Sequence, residues 1–172
     1  MSFFEKIHGV KAFVFDVDGV FTDGTVILHP SGEIVRTSNT RDGYAVHVAV
    51  ERGFPVAIIS GGKSESVRER FRALGVTDIY LGSTNKIEDL TDFRYKYGLE
   101  LDEILYMGDD LPDYEVMTKV GVPTCPYDAA QEIQDVALYI SPISGGKGCV
   151  RDVIEQVLKV NNLWGASIDP KQ

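Results

Sequence analysis

The sequence predicts an α/β fold: a doubly wound parallel sheet with helices on both faces and a β-hairpin flap after the first strand. Three observations predict it. Short β-rich apolar runs recur along the 172 residues, segments of helical period lie between them, and glycines stand just past the helical runs.

The apolar runs are Val10 to Phe15, Val56 to Ile59, Ile79 to Leu81, Ile104 to Met107 and Ala137 to Ile140. Their β-branched and aromatic residues suit strands buried on both faces. Helical spacing appears over Gly43 to Arg52, Ser64 to Leu74, Ile87 to Tyr97, Tyr114 to Val120 and Val150 to Val160. Gly53, Gly75, Gly98 and Gly121 are expected to end four of these helices in the left-handed conformation. One stretch breaks the rhythm. Thr25 to Leu28 and Glu33 to Thr37 flank His29-Pro30-Ser31-Gly32, which reads as two strands around a turn, a flap over about 24–38. No repeat or linker-like shift appears, so one domain is expected over 1–160, with a mobile C-terminal tail over 161–172.

Composition narrows the function. The hydrophobic fraction of 44% and charged fraction of 25% belong to a globular chain. A net charge of −9 argues against nucleic acid or an anionic membrane as the main partner, since both need a basic face. There is no export-signal pattern and no apolar stretch of about 18 residues, so a cytoplasmic location is expected. Cys125 and Cys149 fit no metal spacing and are expected to be reduced, buried thiols.

The strongest chemical signal is Asp16-Val17-Asp18-Gly19 directly after an apolar strand. In an open α/β sheet, ligands bind beyond the carboxyl ends of strands. Residues two apart on an extended strand point to one side, so the two carboxylates repel unless a cation or proton separates them. Mg²⁺, a hard cation with oxygen ligands, meets that need. Gly108-Asp109-Asp110, with Asp113 following, repeats the pattern after another strand; taken alone it equally describes a helix N-terminus with Asp110 as its cap. Ser60-Gly61-Gly62-Lys63 closes a third strand and offers a hydroxyl and backbone amides to a phosphoryl group, or is a plain turn. Lys86, opening a helix after Ser83-Thr84-Asn85, either offsets phosphate charge or is a surface lysine.

Taken together, the order Asp-x-Asp, Ser, Lys, Gly-Asp-Asp resembles the four signature motifs of the haloacid dehalogenase superfamily. The resemblance implies Asp16 as a nucleophile that forms an aspartyl-phosphate and Asp18 as general acid and base. It implies Mg²⁺ on the Asp16 side chain, the Asp18 backbone carbonyl and the Asp109 side chain, with Asp110 and Asp113 in support, and Ser60 and Lys86 holding phosphoryl oxygens. A narrower likeness rests on DVDGVFTDG, the flap, Asn39-Thr40-Arg41-Asp42-Gly43, and Gly145-Gly146-Lys147-Gly148-Cys149-Val150-Arg151. Over about residues 7–160 these are similar to the 3-deoxy-D-manno-octulosonate 8-phosphate (KDO 8-phosphate) phosphatases of lipopolysaccharide precursor synthesis. That family implies a capless, Rossmann-like domain, a homotetramer assembled through its flaps, and a neighbouring subunit that helps close the site. It also implies a small anionic sugar phosphate held by Asn39, Thr40, Arg41, Asp42, Gly43, His47, Gly62, Arg70 and Lys86, and Asp18, Gly61 and Lys63 are expected to contact it as well.

Many members carry arginine where Gly62 and His47 stand here. Lys63 is the expected substitute for the charge missing at Gly62, as a less directional point charge. His47 also reads as a packed helix residue. Arg68 and Arg70 cannot share a helix face, and the likeness favours Arg70. The GGKG segment reads either as a flexible loop or as part of a site. Three other functions compete: a phosphatase of a related nonulosonate 9-phosphate, a receiver-like phosphorylated signalling domain, and an assembly protein that binds Mg²⁺ without catalysis.

Overall fold

A computed structural model describes residues 1–165. After a short helix, α1 (Phe3–Lys6), come the first strand β1 (Ala12–Phe15) and the flap strands β2 (Ile27–Leu28) and β3 (Ile34–Val35). Then follow α2 (Thr40–Glu51), β4 (Val56–Ile59), α3 (Glu65–Ala73), β5 (Asp78–Tyr80), α4 (Lys86–Tyr97) and β6 (Ile104–Met107). The chain continues through α5 (Tyr114–Met117), β7 (Val122–Cys125), α6 (Gln131–Val136), β8 (Tyr139–Ile140) and α7 (Cys149–Val160). Six strands pair in parallel in the order β5-β4-β1-β6-β7-β8, and β2 pairs antiparallel with β3.

That order places a topological switch point beside β1, because the chain builds outward to β5 and then crosses to β6 on the other side. The crevice at the carboxyl ends of β1, β4 and β6 is therefore where a ligand is expected. Register brings the ends together: Phe15 lies opposite both Ile58 and Met107, so Asp16, Ser60 and Gly108 leave the sheet nearly side by side.

Alternation along the strands divides the core into two layers. Phe13, Phe15, Ile58, Leu105 and Met107 face α2, α3 and α7, whereas Val14, Ala57, Ile59, Ile104 and Tyr106 face α4, α5 and α6. Each layer is a continuous cluster of buried apolar side chains, which holds the strand ends rigidly. Both cysteines are free and buried. Among the described residues no helix is long and apolar enough to cross a membrane.

Strand β7 and helix α6 lie outside the sequence expectations. Pro123 demotes its run from strand status because it cannot donate to a ladder. Here the missing N–H is harmless, since pairing with the short edge strand β8 begins only at Thr124, opposite Tyr139. The expected helix ends hold at Gly53, Gly75 and Gly98, all with positive φ. Gly121 differs: a Cβ there would stand 2.5 Å from the Asp102 Cα, so close backbone packing excludes a side chain. Over 161–165 of the expected tail, Leu163 and Trp164 pack against the core and Leu163 O accepts a hydrogen bond from Arg52 Nε at 3.0 Å; residues 166–172 lie outside the described residues.

The GGKG segment is a brace. A Cβ on Gly145 would lie 1.9 Å from Gly19 O, so the segment packs directly on the loop that follows β1. Its far end starts α7, and there the fully buried Asp42 accepts a hydrogen bond from Arg151 N at 2.9 Å. A carboxylate at a helix N-terminus is favourable, but the second oxygen of Asp42 has no partner. Burial pushes its pKa up to about 6, against the pull of the Arg151, Gly148 and Val150 N–H groups. From about pH 4 to about 6 the folded state keeps a proton that the unfolded chain has released. The contribution of Asp42 to stability therefore falls by about 3 kcal/mol as pH rises through that window. Asp42→Asn is expected to abolish this fall: the wild-type minus variant difference in unfolding free energy, from urea titrations, should change between pH 4 and 6.5 and be flat above 7. A difference constant with pH contradicts it.

Candidate active site

A cavity of about 800 Å³ opens at the carboxyl ends of β1, β4 and β6 and is lined by Asp16, Asp18, Ser60, Gly61, Gly62, Lys86, Asp109 and Asp110, among others. Four segments remote in sequence thus converge, as the motif order requires. Lys86 is buried, with its ammonium 2.8 Å from Asp113 Oδ1 and 3.2 Å from Asp16 Oδ1. It belongs to the site and not to the surface. Its place follows from Asn85, which caps α4 by accepting from Glu88 N and so starts the helix at Lys86.

Asp109 reaches Asp16 across a gap that Gly19 leaves open. A Cβ at Gly19, whose φ is +80°, would lie 1.8 Å from Asp109 Oδ2, so only glycine lets the two acidic loops touch. Asp113 is fully buried and fully engaged: Oδ1 accepts from Lys86 Nζ and the Tyr106 hydroxyl, and Oδ2 from the N–H groups of Asp109 and Asp110. It orients its neighbours and keeps no free lone pair aimed at the cavity. Asp110 is exposed and accepts from Leu111 N at 2.8 Å, so its helix-cap reading is correct. Tyr106 had escaped the sequence reading; a polar-tipped aromatic inside an apolar strand was the available signal.

Charge decides what this cavity holds. Carboxylate oxygens of Asp16, Asp109 and Asp113 lie within 4.8 Å of one another, and one ammonium faces them. Two negative charges are left uncompensated in a desolvated place. Burial first, then Asp113 and Asp109, raise the pKa of Asp16 well above the usual carboxylate range despite Lys86. Burial with Asp113 and Asp110 lifts Asp109 to about 7. Burial works against the Lys86 ammonium, but Asp16 and Asp113 outweigh it and raise its pKa. A divalent oxygen-seeking cation cancels the excess, and Asp16 and Asp109 retain the oxygens to hold it. The residues fit Mg²⁺.

The expected sugar-contacting residues do not all reach this cavity. Asn39, Gly43 and Arg70 line a neighbouring one of about 250 Å³ beneath the flap. Asn39 spends its side-chain oxygen capping α2 on Arg41 N and Asp42 N. Thr40 and Arg41 are exposed, and Asp42 points inward to α7. His47 is half-exposed on α2, with Nδ1 3.2 Å from Leu74 O and Nε2 3.1 Å from Glu51 Oε1, and does not line the acidic cavity. The stem of Lys63 lies along Gly82, and Lys63 does not line the acidic cavity beside Gly62. That place is filled by Arg36 from the flap, which no local pattern had singled out: its Nε donates to Asp18 Oδ1 at 2.6 Å and its Nη2 to Oδ2 at 3.1 Å.

Comparison with known proteins agrees with this geometry. Residues 74–151 match the haloacid dehalogenase-like hydrolase family. The 3-deoxy-D-manno-octulosonate 8-phosphate phosphatase of Escherichia coli strain K12 is 36% identical over 167 residues, covering 95% of this chain and 89% of that protein. The Yersinia pestis phosphatase of the same name superposes with a TM-score of 0.92 at 29% identity, covering 95% of this chain and 88% of that one. The Moraxella catarrhalis phosphatase, solved with magnesium, phosphate and KDO, gives 0.89 at 33% identity over 94% and 93% of the two chains.

The charge argument makes a prediction. Mg²⁺ at a hundred times its dissociation constant should add about 2.7 kcal/mol of stability, a rise of about 5–10 °C in Tm for a chain of this size. Asp109→Asn should melt higher than wild type in chelator and lose most of the Mg²⁺ response. Thermal melts with and without Mg²⁺ check both, and an unaltered response in the variant counts against Asp109 as a ligand.

Proposed function

Because the chain belongs to the 3-deoxy-D-manno-octulosonate 8-phosphate phosphatase family of haloacid dehalogenase-like hydrolases, we propose that it hydrolyses that sugar phosphate to KDO and inorganic phosphate through an aspartyl-phosphate on Asp16. It is a phosphomonoester hydrolase that uses Mg²⁺. The observation that carries the reading is the meeting of Asp16, Asp18, Ser60, Lys86 and Asp109 in one cavity. A receiver-like domain has no use for a second acid two residues after the first, and the hydrolase family excludes that reading; the nonulosonate 9-phosphate alternative is not favoured.

Asp16 and Asp109, with the Asp18 backbone carbonyl, would hold the metal. When bound, Mg²⁺ supplies neutralisation of the acidic cluster and polarisation of phosphoryl oxygens. Asp16 forms a bond to phosphorus as the bond to the sugar oxygen breaks, and Asp18 delivers a proton to that oxygen. Asp18 then takes a proton from the water that attacks phosphorus and frees Asp16. Lys86 and Ser60 hold phosphoryl oxygens, so the approach of one anion to another is not repelled. Asp113 and Tyr106 keep the Lys86 ammonium in place.

The sugar end of the site is completed by self-association. Ile27, Leu28, Ile34 and Val35 on the flap are exposed, Leu28 to 78%, and a two-stranded hairpin is marginal alone. Packing of flaps into a cytoplasmic homotetramer buries them and brings residues such as Arg41 and Arg70 toward a neighbouring site. Clustered apolar exposure of this kind marks an interface.

Phosphate release from the synthetic sugar phosphate tests the assignment. Asp16→Asn should retain less than about one thousandth of wild-type turnover. Asp18→Asn should lose about 10²–10⁴-fold while its half-saturating Mg²⁺ concentration stays put, because a backbone carbonyl survives the substitution. Equal rates for wild type and Asp16→Asn would end the proposal.

A further inference from the structure

Asp18 has to aim one oxygen at the leaving group, yet nothing in its own loop orients its carboxylate. Among the described residues its side-chain partner is Arg36, through two N–H contacts of 2.6 and 3.1 Å. A forked pair of this kind sets the plane of the carboxylate as well as its position. Arg36 is itself fixed, because Nη1 donates to Ile34 O at 3.3 Å on its own strand. Its side chain is only 11% exposed, on a flap whose apolar residues face outward.

The guanidinium occupies a space that exists because residue 62 is glycine. A Cβ on Gly62 would stand 2.9 Å from Arg36 Nη2, and 3.5 Å from Ser60 Oγ on the other side. A larger side chain at 62 forces the Arg36 guanidinium to shift from its observed position. Arg36, Gly62 and Asp18 therefore form one steric and electrostatic unit that joins the flap to the catalytic loop.

We propose that Arg36 is the positioning residue for Asp18, seated in the space Gly62 leaves, so that the flap sets the orientation of the acid/base. The inference rests on the phosphatase reading and adds the flap to its machinery. In the step concerned, the Asp16–phosphorus bond forms, the phosphorus–oxygen bond to the leaving group breaks, and the proton of Asp18 goes to the departing oxygen. A sugar alkoxide needs that proton. A p-nitrophenolate, a weak base, leaves without it.

The leaving group therefore separates positioning from a general structural role. The test compares kcat/KM, which covers only steps up to departure of the leaving group, on KDO 8-phosphate and on p-nitrophenyl phosphate. Arg36→Ala is expected to lose about 10²-fold on the sugar phosphate, the usual cost of a misplaced group, and at least about tenfold less on the aryl phosphate. Gly62→Val, which expels Arg36 without altering it, should show the same selective loss, and the double variant should be no worse than the worse single one. Equal losses on both substrates, no loss, or additive losses overturn the inference. A wild type that hydrolyses neither compound defeats the phosphatase reading itself, and the inference with it.

Discussion

Three carboxylates gathered around one ammonium, out of contact with most of the solvent, are the constraint on which the rest of this molecule depends. Burial, with the charges of Asp113 and Asp110, drives Asp109 to about 7, and burial with Asp113 and Asp109 drives Asp16 well above its ordinary range. Such a cluster persists only on a frame too rigid to let the acids drift apart. The frame is the central parallel trio β4-β1-β6, buried on both faces, with the acidic loops leaving β1 and β6 at the same level. Hydrophobic burial in the two layers offsets the electrostatic cost. The excess negative charge is in turn the driving force for metal binding.

The loops above that frame are held by contacts that leave no room for substitution. Gly19 permits Asp109 to meet Asp16, and Gly145 packs on Gly19 from the other side. Asp42 anchors the start of α7, and so the glycine segment, to the start of α2. A residue that looks like a ligand in the sequence thus acts one layer behind the site, holding a loop that holds the catalytic loop.

The flap belongs to two environments at once. Its apolar side chains face outward, while Arg36 faces inward to Asp18. The two environments are joined through a short hairpin with little stability of its own.

The doubly wound fold, the flap and the acidic, hydroxyl and lysine positions were legible in the sequence because each rests on local pattern: apolar runs, helical spacing, and acids immediately after strands. Strand β7 was hidden by Pro123, whose missing N–H matters only if the neighbouring strand needs it, and the short β8 does not. Tyr106, Asp42 and Arg36 were illegible for a common reason. Their roles depend on partners 7, 109 and 18 residues away, through contacts that only the packed chain creates. The likeness to a family assigned His47 and Thr40 to the sugar, with Lys63 expected beside Gly62, and the fold of one chain leaves them outside the cavity, because Thr40 and His47 lie on parts of α2 that do not line it and the Lys63 stem lies along Gly82. Sequence by itself thus determined which chemistry is present, since residue type and strand-end placement are local properties. Tertiary structure alone decided which groups are paired, buried or turned away, since charge and desolvation act through distance in space and not along the chain.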